Sequence, residues 1–564
     1  MKPGHVAVGA LAVGVALVVG ACSGGKPSAS GGTTSTAASA AHAASGKRFA
    51  NFRLAYDNGI DFLDPGLAFT PEAWQLIWNV YLPLVGYKHV GGPDGATIVP
   101  YLAKALPTVS ADGKTYTLTL RKGLVYSDGK PVKASDFRST IERDFKVDSP
   151  GVGFFANVVG AAEFSKTQKG HISGITVDDE TGRITIKLTH PQGDFVNVLA
   201  TEFAAPVPSG TRAKDESTTP IPSTGPYMIT EYKPNKVAVA VRNPEWQKNK
   251  RTGIAAVPDG NPDKITLDII SSDAVALQRT INGQDDYDLQ QPPANRLADI
   301  QEKYADQYRT YIPADTYYFF MNHRTRPFDN LKARQAVEYG IDRNALVEVY
   351  GGLAAPTENL LPPTYPQFKR LNLYPYNLAK AKALVKACGC ANVPITVWNH
   401  DLGADPKATV YLAAQLTKMG FTHVRRKIVT SSLYWATIGD EATKAQIGFA
   451  DWFQDYPHPL DWFDLLVNGK RITKTHNQNY GNVDEPRINA LIEKLNRQPA
   501  LTANVDAQWA ELDRLLDEKA GIAAFLNRQF IDFFNSDMDL RGNCHVNHVL
   551  YYFDFAGACK KGSS

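Results

Sequence analysis

Between Lys444 and Lys470 the chain carries no lysine or arginine, and inside that gap lies FADWFQDYPHPLDWFDLL, residues 449–466. This stretch holds six aromatic residues (Phe449, Trp452, Phe453, Tyr456, Trp462, Phe463), four acids (Asp451, Asp455, Asp461, Asp464) and two prolines. Acids set among rings without a counter-charge suit a cation. A carboxylate binds an ammonium group through a charge-assisted hydrogen bond, and the faces of tryptophan and tyrosine add attraction of their own. Pro457 and Pro459 fix φ and remove backbone donors, so 455–459 is expected to form a rigid loop after a short strand at 446–453. The same composition also fits a loop whose rings pack into a core while its acids face water. A third use, general acid and base work on a sugar by the pair Asp451 and Asp455, is what a secreted hydrolase would need.

Other motifs carry less chemistry. Residues 20–26 (GACSGGK) approach a phosphate loop but lack its closing Ser or Thr. Residues 151–156 approach a dinucleotide fingerprint, but Ser149-Pro150 precedes them where a strand is required. Cys544, His545 and His548 bear metal-ligating side chains, yet a disulfide beside two surface histidines is the expectation, with no metal. H-E-x-x-H and G-x-S-x-G are both missing, so neither a catalytic residue nor a cofactor is assigned.

The elements that must hold the acidic loop alternate. After a first strand at 53–56 and a helix at 70–80, residues 115–120 alternate with period two; with the turn Ser127-Asp128-Gly129-Lys130 they are expected to form an antiparallel hairpin. A second hairpin joins 175–177 to 184–188, and 133–146 is helical in character with Ser135 as its cap. Strands follow at 237–241, 265–270 and 317–322. Apolar residues then recur at helical spacing over 329–350, ending at Gly351-Gly352. Helices at 378–387, 408–419, 485–495 and 503–520 interleave with strands at 395–398 and 447–453, an order that implies α/β layers with some parallel pairing.

At 564 residues the chain is long enough for two or three domains, and 60 basic against 57 acidic residues leave no concentrated basic face, which excludes nucleic acid as a partner. The amino terminus is an apolar run at 6–20 meeting Val19-Gly20-Ala21-Cys22, which reads as a secretory leader. Residues 23–47 are small and polar, as in a flexible tether. In an oxidising compartment Cys388, Cys390, Cys544 and Cys559 allow three disulfide connectivities; Cys544 with Cys559 and Cys388 with Cys390 is the expected pairing. The first of these would staple a strand region at 549–555.

Residues 101–132, YLAKALPTVSADGKTYTLTLRKGLVYSDGKPV, closely resemble the family 5 extracellular solute-binding proteins of ABC importers, the oligopeptide and dipeptide binders. Further segments fit in order: 80–85, Ser223-Thr224-Gly225-Pro226-Tyr227 with Val241-Arg242-Asn243-Pro244, Arg334-Gln335-Ala336-Val337 with Gly340-Ile341-Asp342-Arg343, and the acidic loop itself. The leader also resembles a lipobox, which would make Cys22 the lipidated first residue of the mature protein. The resemblance implies an α/β fold of the type II periplasmic-binding-protein kind, a two-lobed clamp with an extra α+β domain (cluster C). It divides the chain into a signal peptide (1–21), a tether (22–47), lobe I (48–90, 213–314 and 530–564), an extra domain (91–212) and lobe II (315–529). The crossings between lobes would lie near Tyr317-Tyr318 and near 530–534. In peptide binders of this family the Asp of a W-x-x-D-Y-x-x-P pattern salt-bridges the ligand's α-ammonium. Trp452, Asp455, Tyr456 and Pro459 match it, which gives Asp455 that role with Trp452 and Tyr456 as lining, and His458 departs from the pattern. For a ligand carboxylate, Arg324, Arg326 and His323 lie near the hinge but read better as surface charges. The function implied is that of a monomeric, lipid-anchored extracytoplasmic protein that hands peptides to a permease with its cytoplasmic ATPase. A binder of sugar, nickel or another solute on the same fold is the alternative.

Overall fold

Two β-sheets share most of the chain. In the computed structural model, which describes residues 47–562 apart from 57–58, 271, 499–500 and 548–552, one sheet has seven strands. Their order is Tyr308–Tyr311, Phe530–Phe534, Tyr287–Asp288, Phe52–Tyr56, Lys264–Ile269, Val237–Arg242 and Tyr227–Lys233. The other has six, in the order Ala354–Pro356, Ile522–Arg528, Asp315–Met321, Ile447–Phe453, Ile395–Asn399 and Val424–Ile428. The chain passes from the first sheet to the second at 312–314 and returns at Gln529, just before Tyr317-Tyr318 and just before Phe530.

Both sheets mix strand directions. Phe52–Tyr56 runs parallel to Lys264–Ile269 and to Tyr287–Asp288, and Ile395–Asn399 runs parallel to Val424–Ile428 and to Ile447–Phe453. Strands buried on both faces need near-continuous apolar sequence, and Asp315–Met321 (DTYYFFM) is buried at every position. The helices Leu331–Gly340, Leu378–Cys388 and Asp405–Met419 send Ala333, Val337, Ala381, Val385, Leu412 and Leu416 into one core with Phe319, Val397 and Ile447.

Between the first two crossover strands of the seven-stranded sheet lies a separate four-stranded antiparallel sheet, Thr108–Val109, Thr115–Thr119, Arg183–Lys187 and Ile175–Asp178. The 175–188 hairpin has the expected partners. The 115–130 hairpin does not form: Thr115–Thr119 pairs with Thr108–Val109 and with Arg183–Lys187, while the turn at Ser127–Lys130 closes only an isolated bridge, Val125 to Pro131. Alternation marks a strand with one buried face but does not name its neighbour. Ser135 is not the cap of helix Ala134–Lys146. Lys133 takes that position, Asp136 accepts from its N–H, and Ser135 bonds Asp179 instead. The helix expected over 329–350 is two, Leu331–Gly340 and Arg343–Val349, because Ile341 turns extended and the Asp342 carboxylate caps the second. Most of the 549–555 strand region lies outside the described residues; Phe553 bridges Asn547.

Candidate functional site

The strand Ile447–Phe453 sits inside its sheet, antiparallel to Asp315–Met321 on one side and parallel to Ile395–Asn399 on the other. It therefore delivers the acidic loop from a rigid base. Residues 454–459 form the loop, and the helix Leu460–Val467 follows at once. Asp461, fully buried, shapes the turn from within: its Oδ2 accepts from the Asp455 N–H at 2.9 Å and from the Trp452 indole N–H at 3.2 Å. Tyr365 braces the other side, donating to the Gln454 side chain at 2.8 Å and accepting from the Trp462 indole at 3.0 Å. His458 Nδ1 accepts from the Leu460 N–H at 3.2 Å, and its ring meets Trp509 edge-on. Burial lowers its pKa and holds it neutral. The residue that departs from the family pattern thus accepts from the first N–H of the helix and adds no charge.

Asp455 itself is 7% exposed, and its Oδ2 has no hydrogen-bond partner among the described residues. Burial raises its pKa well above the carboxylate range, and Glu202 raises it further. Glu202, 2% exposed with Oε2 unpartnered, is itself pushed up to about 8 by burial. Asp461 is raised by burial and by Asp455, and its Oδ1 is unpartnered as well. Across the loop, Asp194 accepts from the Tyr456 hydroxyl at 2.7 Å and leaves Oδ1 without a partner. Rings close the surroundings. Phe69 packs against Trp452 at 6.3 Å and Phe203 at 5.8 Å, and Phe154 against Tyr456 at 5.9 Å and Phe203 at 6.0 Å. None of the four carboxylates makes an ion pair with a described residue, and burial favours the protonated form of Asp455, Glu202 and Asp461, so this buried, ring-walled cluster would exchange those protons for a cation.

Trp452, Asp455 and Tyr456 are thus brought together, but the polar ends of the two aromatics are engaged by Asp461 and Asp194, so only their rings are left to meet a ligand. Asp461 was visible only as one more acid in the loop, and Glu202 and Asp194 lie in another part of the chain, with no local pattern to mark them. Arg528 was missed too. It is the last residue of its strand, with its guanidinium over the rings of Phe530 (4.6 Å), Tyr350 (5.5 Å) and Tyr317 (5.7 Å). It stands in the field of Asp315, Asp405 and Asp451, one cation facing three acids. Asp451 is pushed up to about 8 by burial and by Asp405, with Arg528 opposing.

The three residues near the hinge separate. His323 is half-buried, bonded to the Gly521 carbonyl at 3.1 Å and driven down to about 3 by desolvation, whereas Arg324 is half exposed and 3.9 Å from Glu441. Arg324 and Arg326 line an open cavity of about 310 Å³ with Asp440, Glu441 and Lys444. Cys544 is joined to Cys559, and Cys388 to Cys390. Cys22 lies outside the described residues. Among those residues no group of three His, Cys, Asp or Glu side chains suits a metal ion, and no helix is long and apolar enough to cross a membrane.

Comparison with known proteins places this geometry. The chain is 24% identical to heme-binding protein A of Haemophilus influenzae over 449 residues, 74% of this chain and 77% of that one. It is 24% identical to the periplasmic oligopeptide-binding protein OppA of Escherichia coli over 385 residues, 65% and 69% of the two chains. Among solved structures, the clavulanic acid biosynthesis oligopeptide binding protein 2 superposes with a TM-score of 0.81 at 25% identity, covering 92% of this chain and 99% of its own. The fold is accordingly the two-lobed type II periplasmic-binding architecture, and the relatives are binding proteins, so the chain is a binding protein and the hydrolase reading of Asp451 and Asp455 falls. Residues 97–474, more than half of the 564, match the model for the bacterial extracellular solute-binding proteins, family 5, middle region, and the chain belongs to that family.

Proposed function

We propose that this protein captures peptides by their free amino terminus and delivers them to an ABC importer, held at the outer face of the cell membrane by a lipid on Cys22. The observation that carries the reading is Asp455: a carboxylate 7% exposed, walled by Trp452 and Tyr456, with an unpartnered oxygen and no described cation beside it. An α-ammonium supplies the missing charge and three donors. The half-buried acid Asp451 and the surplus of acids around Arg528 extend the same preference along the clamp. Strand edges and bound water would pair the peptide backbone, which keeps affinity while tolerating many side chains. The protein would work as a monomer, with lobes I and II closing across the 312–314 and 529 crossings and the extra domain at 91–212 completing the wall.

Calorimetry tests the ligand. Asp455→Ala is expected to weaken a free-amine tripeptide by about 2–4 kcal/mol, because a buried ammonium is stranded, while the acetylated tripeptide loses far less. Equal losses for both would sink the assignment and leave the fold open to another solute. Metabolic labelling with a palmitate analogue, lost in Cys22→Ala, tests the anchor.

A further inference from the structure

The acidic cluster is larger than one ammonium needs. Asp455 and Asp461 come from the loop and its helix, Asp194 and Glu202 from the segment that follows the four-stranded sheet, and each has an oxygen without a hydrogen-bond partner among the described residues. Glu202 is the telling member. It is 2% exposed, makes no ion pair, and neighbours Phe203, whose ring meets Phe69 and Phe154, the two rings that also meet Trp452 and Tyr456. Glu202 and Asp455 therefore belong to one wall, close enough for the charge of one to act on the other. A single bound ammonium would satisfy Asp455 and leave the buried Glu202 with an oxygen that has no partner among the described residues. Buried polar groups in native proteins are paired, and those left over mark a missing partner.

Resting on the reading that a ligand ammonium sits at Asp455, we infer that the preferred ligand brings a second positive charge beside the first, received by Glu202 with Asp194 on its flank. A peptide whose first residue is arginine or lysine has that chemistry, presenting α-ammonium and side-chain cation from one residue. The proton held on the Glu202 carboxyl in the empty protein passes to buffer as the cation arrives. The groups that sense the charge of Glu202 or Asp455 are Asp461, Tyr456, Tyr87, Tyr101 and Tyr365, with Asp194 beside Tyr456 and the neutral His458 near Asp194, and none of them supplies a competing positive charge.

The test is calorimetry of the intact mature protein with Arg-Ala-Ala and with citrulline-Ala-Ala, which has the same shape without the side-chain charge, in two buffers of different ionisation enthalpy. The arginine peptide is expected to bind about ten-fold tighter or better and to release more protons, and Glu202→Gln is expected to bring the ratio to within about two-fold. Equal affinities in the wild-type protein, or a ratio that survives Glu202→Gln, overturn the inference; the wild-type ratio and proton release decide it even if the variant does not fold. If both peptides bind equally and acetylation still weakens them, capture at Asp455 stands and the second charge is wrong. If neither binds, both readings fall together.

Discussion

Two buried aspartates show the difference between the scaffold and the candidate site. Asp64 is fully buried, and Arg143 meets it with two guanidinium nitrogens, one at 2.9 Å. Gly66 and Glu216 donate their N–H groups to it at 3.0 and 3.1 Å. The arginine then spends its Nε on the Arg212 carbonyl at 2.8 Å. Asp455 is buried almost as deeply and has neither cation nor donor at its Oδ2. Even where acids outnumber bases in the interior, a base is present: Glu338, Glu358 and Asp517 share Arg343. Burial of an acid is therefore no signal of function by itself. A buried acid cluster with no counter-ion is, because folding alone gives nothing to offset its desolvation.

The largest effect should fall on the paired acid. Arg143→Met strands Asp64 and should cost about 3–5 kcal/mol in urea unfolding at neutral pH. A loss under about 1 kcal/mol would mean the pair contributes no more than a surface one, and the contrast with Asp455 would collapse. A graded effect follows from pH. Glu202 and Asp451 near the site, and Glu338 in the scaffold, are each pushed up to about 8 by burial, so the folded chain keeps protons that the unfolded chain releases above about pH 4.5. Stability of the empty protein must then fall as pH rises from about 5 through 8, at up to roughly 1.4 kcal/mol per unit for each such group. Thermal melts at pH 5.5 and 8 should show the midpoint dropping by several degrees, and a bound cationic peptide should flatten the slope by neutralising the site's share. An identical slope with and without peptide would assign the protons to the Arg343 cluster instead.

How much of this was legible beforehand follows the range of each interaction. The acidic loop was readable because its acids, rings and prolines are contiguous, and the strand beneath it because IGFADWF has the apolar run a doubly covered strand needs. Much of the α/β alternation of residues 378–520 was readable from periodicity, but the strand Val424–Ile428 and the helices Ser431–Ile438 and Leu460–Val467 were not. Pairing was not, which is why Thr115–Thr119 found Arg183–Lys187 and left the nearby turn unused. The break at Ile341 was hidden because the apolar spacing continues across it, while Asp342 offers a second cap. Within the candidate site, the sequence pattern points to Asp455 and offers nothing that points to Glu202. No local pattern marks an acid whose meaning comes from a wall built by residues hundreds of positions away.

The smallest expected effect is the most discriminating. Asp455→Asn keeps shape and volume, removes a carboxyl that must stay protonated or stand alone, and breaks no hydrogen bond at Oδ2, since none is made there among the described residues. The new amide can donate toward Glu202, so the stability of the empty protein should change by less than about 1 kcal/mol and in the favourable direction at pH 8, where the wild-type acid is under pressure to ionise. Denaturant midpoints at pH 5.5 and 8 measure this directly. A loss of about 2 kcal/mol or more would show that Asp455 holds the fold together as Asp64 does, and its oxygen could then no longer be counted as reserved for a ligand.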